Sequence, residues 1–218
     1  RARAEFFIGV CEEHGLLEAR RILDAGAGDG WLADQLKPRT DARITCWDIY
    51  YTDADLAAGG DGDAQIERRR DAPAGPYDLV LLLDVLEHVE DDRGFLDDLG
   101  AALAPGAHLV FSVPGWPALF GAHDRMLRHH RRYRPQAARD LLEDKAFRVL
   151  REGGLFHTLL PVRAAQIARE KLLPTRAAAG GGEHELDWDH GASVTSLVMG
   201  ALRLDNAVAR TASKLHLP

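Results

Sequence analysis

A run of glycines near the start of the chain has the spacing of a ligand-binding turn. Asp24, Gly26, Gly28 and Gly30 form the pattern D-x-G-x-G-x-G, which ends an apolar run and precedes a helix-like segment. Glycines between a strand and a helix let the backbone approach a ligand, and the start of the helix adds N–H donors. A dinucleotide-binding fingerprint needs a third glycine where Trp31 stands, and a P-loop needs a lysine that the turn lacks. The pattern indicates either a different ligand or a tight turn that binds none.

A second acidic position, Asp48, is the last residue of the next largely apolar segment, ARITCWD. In a parallel α/β sheet, a carboxylate at the end of the second strand can accept hydrogen bonds from both hydroxyls of a ribose. Ile49, directly after it, can pack on the face of a base. The alternative for Asp48 is a helix cap or a solvated loop acid.

These segments and two later ones resemble class I S-adenosylmethionine (SAM)-dependent methyltransferases, in the branch of that superfamily that acts on small molecules. The glycine pattern is similar to its first motif, YDLVLLLDVLEHVEDD to its fourth-strand motif, and LAPGAHLVFSVP to its fifth strand. The resemblance runs from about residue 3 to residue 157. It implies SAM as cofactor and S-adenosylhomocysteine as product. The residues that it places at the cofactor are Asp24, Gly26, Ala27, Gly28, Gly30, Asp48, Ile49, Asp71, Asp84 and Val85.

The segment FGAHDRMLRHHRRYRPQAARDLLEDKAF resembles a bacterial subgroup of the superfamily, in which an H-D…H-x-R-R-Y sequence precedes a helix. The subgroup loosely implies acceptors related to polysaccharides, glycolipids or other secondary products. We predict that residues 115–134 cover the substrate and that Trp116, Arg131 and Tyr133 bind it, since guanidinium groups suit an anionic substrate group. The alternative is that Arg131, Arg132 and Tyr133 fasten this loop to the domain.

Methyl transfer from a sulfonium requires alignment of the two reactants and, for some acceptors, a base. Imidazole titrates near neutral pH, so His88, His123 and His129 are the predicted catalytic residues, and His130 is a further candidate. His88 follows the fourth strand, on the side of the sheet where ligands bind, with a packing role as the alternative. His123 and Asp124 form either an oriented acid–base pair or a local loop cap.

Asp84, Glu87 and His88 are similar to the acidic cluster that binds a divalent metal in ubiquinone-pathway O-methyltransferases and in small-RNA end methyltransferases. A downstream histidine completes the metal site in those proteins, and His129 matches it here. Two carboxylates and two imidazoles suit magnesium, manganese or zinc. Because DVLEHV also occurs in many relatives that hold no metal, we predict that this chain holds none.

The elements that must position these residues follow from hydrophobic periodicity. Apolar runs alternate with helical patterns, which is typical of a parallel sheet with helices on both faces. We predict an α/β fold with a doubly wound, mostly parallel, Rossmann-like sheet and extra C-terminal helices. The predicted strands are 21–25, 42–48, 64–67, 77–85, 107–114 and 147–150. The predicted helices are 2–15, 29–37, a short one from 52 or 53, 91–103, 135–146, 161–172 and 193–212.

The predicted sheet has one difficult crossover and one incomplete edge. Strand three is ended near Glu67, because a longer strand would leave too few residues to cross to Tyr77, and Asp71 then lies beyond the strand tip. The superfamily closes its sheet with an antiparallel pair of sixth and seventh strands, and no seventh strand is predicted before Pro218. Either the chain is truncated or this edge is unusual. We assign residues 1–160 to the SAM-binding core and 161–218 to a helical segment that packs on the core or roofs the substrate site.

Composition limits the function classes. The chain of 218 residues has a formal net charge of −7, with 46% hydrophobic and 28% charged residues, as is ordinary for a globular protein. The acidic charge argues against a nucleic-acid partner held by phosphate contacts, although RMLRHHRRYRP is locally basic. No stretch approaches the ~20 apolar residues of a membrane span, so we predict no stable membrane insertion.

Cys11 and Cys46, the only cysteines, lie far apart in sequence, which favours free thiols in a reducing cytoplasm. The start RARAEFF lacks the apolar core of a signal peptide, and its abruptness leaves open a missing N-terminus. The function predicted is methyl transfer from SAM to a small molecule. An NAD-type oxidoreductase, disfavoured by Trp31, and a non-catalytic SAM-binding or scaffold protein are the rivals. The oligomeric state is left open.

Overall fold

Five parallel strands form one sheet. The computed structural model describes residues 2–58, 65–155 and 160–172. The strands are β1 (Arg21–Ala25), β2 (Arg43–Trp47), β3 (Ile66–Arg69), β4 (Tyr77–Leu83) and β5 (Leu103–Ser112). Their order in the sheet is β3-β2-β1-β4-β5. The chain starts in the middle at β1, winds outward to β3 and returns on the other side of β1, which confirms the predicted doubly wound parallel sheet.

The register of the strands brings their carboxyl ends to one edge of the sheet. Ala25 on β1 lies beside Trp47 on β2 and beside Leu82 on β4. Trp47 in turn lies beside Arg69 on β3. The residues that follow β1, β2 and β4 therefore leave the sheet next to one another. The reversal of strand order between β1 and β4 opens a crevice at this edge.

Helices cover both faces of the sheet. They are α1 (Ala2–Glu13), α2 (Trp31–Leu36), α3 (Asp53–Ala58), α4 (Asp92–Ala101), α5 (Ala122–Met126), α6 (Pro135–Glu143) and α7 (Leu160–Leu172). Short 3₁₀ turns lie at Leu16–Glu18, Lys37–Arg39, Leu86–His88 and Pro117–Leu119. One apolar cluster packs α1 and α2 on the sheet through Phe7, Ile8 and Leu36. A second packs α4 and α6 on the opposite face through Leu96 and Leu141.

Strand β4 is buried on both faces, as its unbroken apolar run predicts. Leu79 and Leu81 belong to the first apolar cluster, whereas Val80 and Leu82 belong to the second. Successive side chains of a strand point to opposite faces, so one strand supplies both layers. This central position fixes the residues directly after β4, which include several of the predicted site residues.

The prediction that the third strand ends near Glu67 is wrong, because β3 continues to Arg69. Ile66 on β3 is level with Ile22 on β1 and with Leu79 on β4. The path from Arg69 to Tyr77 therefore crosses three strand spacings and returns along the strand direction by the length of five residues. That diagonal is about 22 Å, and eight extended residue steps reach about 26 Å. The crossover is extended and has no helix, as the sequence predicted, but it closes from a strand two residues longer than the sequence argument allowed.

The predicted sixth strand at 147–150 is also wrong, because these residues form no strand in the structure. Phe147 and Val149 pack instead on the second apolar cluster, which explains their hydrophobic pattern. Several boundaries move as well: β5 begins at Leu103, α2 begins at Trp31, and α6 ends at Glu143. The predicted helix at 161–172 is confirmed by α7, and the one at 193–212 lies outside the described residues. Across the described ranges, no helix is long and apolar enough to span a bilayer.

Candidate functional site

The glycine turn after β1 needs glycine for two physical reasons. Gly26, Gly28 and Gly30 all have positive φ, at 74°, 54° and 79°, a region that favours glycine. A Cβ on Gly26 would also lie 2.3 Å from the Val85 side chain. The amides of Gly26 and Ala27 both donate to the carbonyl of Trp47, at 2.7 and 3.1 Å. The turn is therefore tied to the end of β2 and faces the crevice beside β4.

Asp48 joins the turns that follow β1 and β2. Its Oδ2 accepts a hydrogen bond from the Gly28 amide at 2.9 Å, and its Oδ1 accepts one from the Tyr50 amide at 2.9 Å. Each carboxylate oxygen has a second acceptor site, so hydroxyl donors of a ligand can still bind. Ile49 beside it is 62% exposed, and Asp71 is exposed beyond the tip of β3. The position predicted for a ribose and a base is thus open to solvent.

Asp24 is buried beneath the glycine turn at the end of β1. Its side chain is 3% exposed, and its Oδ2 has no hydrogen-bond partner among the described residues. Burial, together with the negative charges of Asp48 and Asp29, raises the pKa of Asp24 to about 7. A cation bound at the turn would favour the ionised carboxylate. Asp24 is therefore suited to sense the charge of a ligand.

Asp84 and Val85 follow β4 and lie next to the glycine turn. Asp84 has a positive φ of 55°, held by a hydrogen bond from its amide to the Ser112 carbonyl at 3.0 Å. Its carboxylate accepts from the Ser112 hydroxyl at 2.9 Å and forms an ion pair with Arg3 of α1. Val85 contacts the turn directly, whereas the Asp84 carboxylate is already occupied by protein groups.

Two of the predicted catalytic histidines meet at the 3₁₀ turn that follows β4. The rings of His88 and His129 pack edge to face, with their centroids 4.6 Å apart. Glu87 beside them is 1% exposed. One carboxylate oxygen of Glu87 and one ring nitrogen each of His88 and His129 lie within 4.8 Å of one another. Burial raises the pKa of Glu87 to about 7, and burial followed by a neighbouring histidine lowers the pKa of His88 and of His129. The two imidazoles are therefore held toward the neutral, base-competent form.

Asp124 organises the loop after β5 from a fully buried position. Its Oδ1 accepts from Arg132 Nε at 2.7 Å and faces His129 Nδ1 at 3.3 Å. Its Oδ2 accepts from the Gly121 amide and from Arg163 Nη2, both at 2.8 Å. Burial would raise the pKa of Asp124, but the bonds from Gly121, Arg132 and Arg163 outweigh it and hold that pKa below its usual value. We call Gly121, Asp124, His129, Arg132 and Arg163 the Asp124 cluster.

The structure gives Asp124 a different histidine partner from the one that the sequence suggested. The sequence suggested a pair of His123 with Asp124, whereas the structure pairs Asp124 with His129 and leaves His123 exposed on α5. With Nδ1 donating to Asp124, the lone pair of His129 falls on Nε2. The sequence alone missed Arg163, because a lone arginine on a helix gives no signal of what that helix faces.

Arg131 and Tyr133 bond to protein groups at the start of α4. Arg131 Nη1 donates to Asp92 Oδ2 at 2.9 Å, and the buried Tyr133 hydroxyl donates to the same oxygen at 2.9 Å. These contacts correspond to the alternative that these residues fasten the loop, and their role toward a substrate stays a prediction. Trp116 is half exposed and has a φ of 63°, with its amide bonded to the Tyr133 carbonyl at 2.9 Å.

Of the four residues in the considered metal cluster, the structure brings three together. Glu87, His88 and His129 are within reach of a common point, whereas Asp84 bonds to Ser112 and Arg3. The same three side chains can act as an acid–base group without a metal. The prediction that this chain holds no metal stays a prediction.

The sheet, the glycine turn and the crevice define a Rossmann-like class of nucleotide-cofactor proteins. A family model of the methyltransferase domain matches residues 5–152, so the chain belongs to the methyltransferase domain family. The ubiquinone biosynthesis O-methyltransferase of Nitrosococcus oceani is 32% identical over 109 residues, which is 46% of this chain and 46% of that protein. Its namesake from Methylocella silvestris is 37% identical over 105 residues, 44% of this chain and 40% of that protein. Each match thus spans less than half of the curated relative.

Solved structures share the fold at low sequence identity. The magnesium protoporphyrin IX methyltransferase of Synechocystis, solved with S-adenosylhomocysteine, has a TM-score of 0.53 and 21% identity. The comparison covers 70% of this chain and 75% of that one. It confirms the predicted Rossmann-like methyltransferase fold, and the family match confirms the resemblance read from the sequence motifs.

Proposed function

We propose that this chain binds SAM and transfers its methyl group to a hydroxyl of a small-molecule acceptor. The observation that carries the proposal is the meeting of the glycine turn, Asp48 and the His88–His129 pair at one edge of the sheet. The family match and the relatives named as O-methyltransferases support the same reaction. The acceptor classes to test first are sugars, glycolipids and secondary metabolites.

The cofactor side of the proposed site consists of the turns after β1, β2 and β4. The backbone at Gly26, Ala27, Gly28 and Gly30 admits the methionine and ribose parts of SAM. Asp48 accepts the ribose hydroxyls, Ile49 packs on the adenine, and Asp71 is a second, weaker adenine contact. Asp24 favours the cationic end of SAM, with Val85 beneath the turn, and Asp84 stays a predicted cofactor contact although Ser112 and Arg3 already occupy its carboxylate. The left-handed glycines and the exposed Ile49 side chain support this arrangement.

The acceptor side supplies a base. The acceptor oxygen attacks the methyl carbon, the carbon–sulfur bond breaks, and its electron pair stays on sulfur to give S-adenosylhomocysteine. His129 Nε2 takes the hydroxyl proton while Nδ1 donates to Asp124, and His88 lies against the same ring. In the proposed site, His123, Trp116, Arg131 and Tyr133 belong to the loop that covers the acceptor.

Helix α7 provides a wall of the acceptor side. Arg163, Ile167 and Glu170 share one helix face and all reach the loop after β5: Arg163 bonds to Asp124, and Glu170 accepts from the Ala122 amide at 2.9 Å. Ile167 lies against Gly121, where a Cβ would be 2.3 Å from its Cδ1. For residues 161–172, these contacts support packing on the 1–160 core, and we propose that the 161–218 segment packs on the core or roofs the substrate site.

The cellular setting follows from thiol chemistry and charge. Cys11 and Cys46 are free and buried, which supports a reducing compartment such as the cytoplasm. The net charge of −7 supports a small-molecule acceptor over a nucleic acid. We therefore propose a cytoplasmic enzyme.

Replacement of Asp48 tests the cofactor site. Asp48→Ala removes two charge-assisted hydrogen bonds to the ribose, each worth about 1.5–3 kcal/mol, so calorimetric SAM affinity should fall tenfold or more. Asp41→Ala is the control, because Asp41 is an exposed acid before the opposite end of β2. Unchanged SAM affinity in Asp48→Ala would show that the ribose binds elsewhere.

A second measurement separates the rival functions. The wild-type protein should bind SAM in preference to NAD, and SAM with pools of hydroxyl-bearing small molecules should yield S-adenosylhomocysteine. Preferential NAD binding would indicate an oxidoreductase. Tight SAM binding without product in any pool would indicate a scaffold.

A further inference from the structure

A row of three side chains runs across the sheet beneath the glycine turn. Asp24 on β1 lies beside Cys46 on β2, and Cys46 lies beside Arg68 on β3. Laterally paired residues of a parallel sheet point to the same face, so all three side chains lie on one side. Arg68 is the only one of the three long enough to extend from the sheet edge toward the turn.

The Arg68 guanidinium is wedged between two segments that follow neighbouring strands. A Cβ on Gly30 would lie 2.8 Å from Arg68 Nη2, and the guanidinium carbon lies 5.7 Å from the centre of the Tyr51 ring. Arg68 Nη2 donates to the Asp29 carbonyl at 3.3 Å, and Nη1 donates to the Asp55 carbonyl at 3.5 Å. Both hydrogen bonds are long, so packing against Gly30 and Tyr51 contributes to holding the group in place.

The position of Asp29 and Gly30 gives this contact its significance. Gly30 is the residue before the first turn of α2, and its left-handed backbone ends the glycine turn. The carbonyl of Asp29 points to Arg68 while the Asp29 side chain accepts from the Trp31 amide at 3.0 Å. A shift of Arg68 would therefore change the shape of the turn on the side that faces a ligand.

We propose that Arg68 is a positioning residue for the cofactor, whose guanidinium holds the Asp29–Gly30 end of the glycine turn in the shape that accepts SAM. The proposal rests on the function proposed above, since it assigns the turn to SAM. Arg68 contacts the turn from β3 and acts through the backbone of Asp29 and Gly30. It is a support for the binding site and does not contact the reacting atoms.

Arginine substitutions distinguish this role from a role of charge alone. Arg68→Met should lower calorimetric affinity for SAM and for S-adenosylhomocysteine by the same factor, about tenfold, because both need the turn. Arg68→Lys keeps the charge and should lose an intermediate amount. Arg69→Met is the matched control, since Arg69 is exposed and pairs with Glu67 on the same strand. If Arg68→Met raised SAM affinity relative to S-adenosylhomocysteine, charge would be the role and the proposal would be overturned.

The glycines provide a second, steric test. Gly30→Ala meets both backbone strain and Arg68, whereas Gly28→Ala meets strain alone, because nothing lies within 4 Å of its Cβ position. In double variants, the losses of SAM affinity from Arg68→Met and Gly30→Ala should therefore be less than additive, whereas the losses from Arg68→Met and Gly28→Ala should add. If the losses of SAM affinity were additive in both double variants, the proposed contact between the Arg68 guanidinium and Gly30 would be contradicted.

Two further controls make every outcome decisive. The SAM affinity of Asp48→Ala is measured in parallel. If Asp48→Ala weakens SAM binding and Arg68→Met does not, the turn binds SAM and the proposal that Arg68 positions it is wrong. If neither variant changes SAM affinity, the proposed cofactor site itself fails. If Arg68→Met unfolds below room temperature, hydrogen exchange of residues 26–34 is measured in Arg68→Lys instead. We expect these residues to exchange faster in Arg68→Lys than in Arg69→Met. Equal exchange in the two variants would contradict the proposal.

Discussion

At the scale of single residues, Asp24 links burial to a measurable pH dependence. The pKa of Asp24 is raised to about 7, chiefly by burial, whereas the unfolded chain has an aspartate pKa of about 4. Between these values the folded state binds more protons than the unfolded state, so stability falls as pH rises from about 4 to about 7. Urea unfolding of Asp24→Asn should show a smaller fall across this window than the wild type. An identical slope in both proteins would contradict the raised pKa.

The same carboxylate should respond to the charge of the cofactor. SAM carries a sulfonium cation that S-adenosylhomocysteine lacks, and a positive charge near Asp24 favours its ionised form. SAM affinity should therefore rise between pH 6 and pH 8 more steeply than S-adenosylhomocysteine affinity. Calorimetry with both ligands measures this difference, and Asp24→Asn should abolish it.

Metal dependence is a further question for single residues. We expect turnover with SAM to survive treatment with a chelator, because Asp84 bonds to Ser112 and Arg3 and because Asp124 engages one nitrogen of His129. The check is an activity assay before and after chelation, with added magnesium or zinc as the comparison. Loss of activity on chelation that either metal restores would show that Glu87, His88 and His129 hold an ion.

At the scale of elements, the loop from Gly115 to Arg134 should control the acceptor and leave the cofactor alone. His129 of this loop packs on His88 after β4, whereas the proposed cofactor contacts come from the turns after β1, β2 and β4. Substitution of His123, His129 or Arg131 by alanine should cut turnover or raise the acceptor concentration required, with SAM affinity within a few-fold of wild type. Collapse of SAM affinity together with thermal stability in all three variants would assign the loop a structural role.

The docking of α7 depends on a glycine whose backbone is ordinary. Gly121 has a φ of −148°, which any residue can adopt, but a Cβ would clash with Ile167 and approach Glu170 and Arg163. Gly121→Ala should therefore speed hydrogen exchange in residues 160–172 and leave SAM affinity unchanged. Gly115→Ala in the same loop is the control, because nothing lies within 4 Å of its Cβ position. Equal exchange in the two variants would show that α7 does not rely on close approach at Gly121.

At the scale of the whole molecule, the sequence predicts best what a local pattern determines. The β4 run and the glycine turn were predicted because burial on both faces and positive φ leave direct traces in residue type. The end of β3 was not predicted, since the number of residues needed to cross to β4 depends on the level of Ile66 relative to Leu79, which only the assembled sheet shows. The pairing of Asp124 with His129, and not with its neighbour His123, likewise depends on how the loop folds back.

The Asp124 cluster also sets an order of events during synthesis. Every proposed cofactor contact lies within the first 85 residues, and the strands that support them are complete at Ser112. The Asp124 cluster is complete only once Arg163 has been synthesised, and Glu170 of the same helix face follows later still. Because a domain folds as a unit, a nascent chain that stops before α7 lacks the Arg163 donor, and the carboxylate that orients His129 then has one bond fewer. We therefore expect a chain cut before α7 to hold His129 less firmly than the full chain does, even though β1 to β5 have already been made.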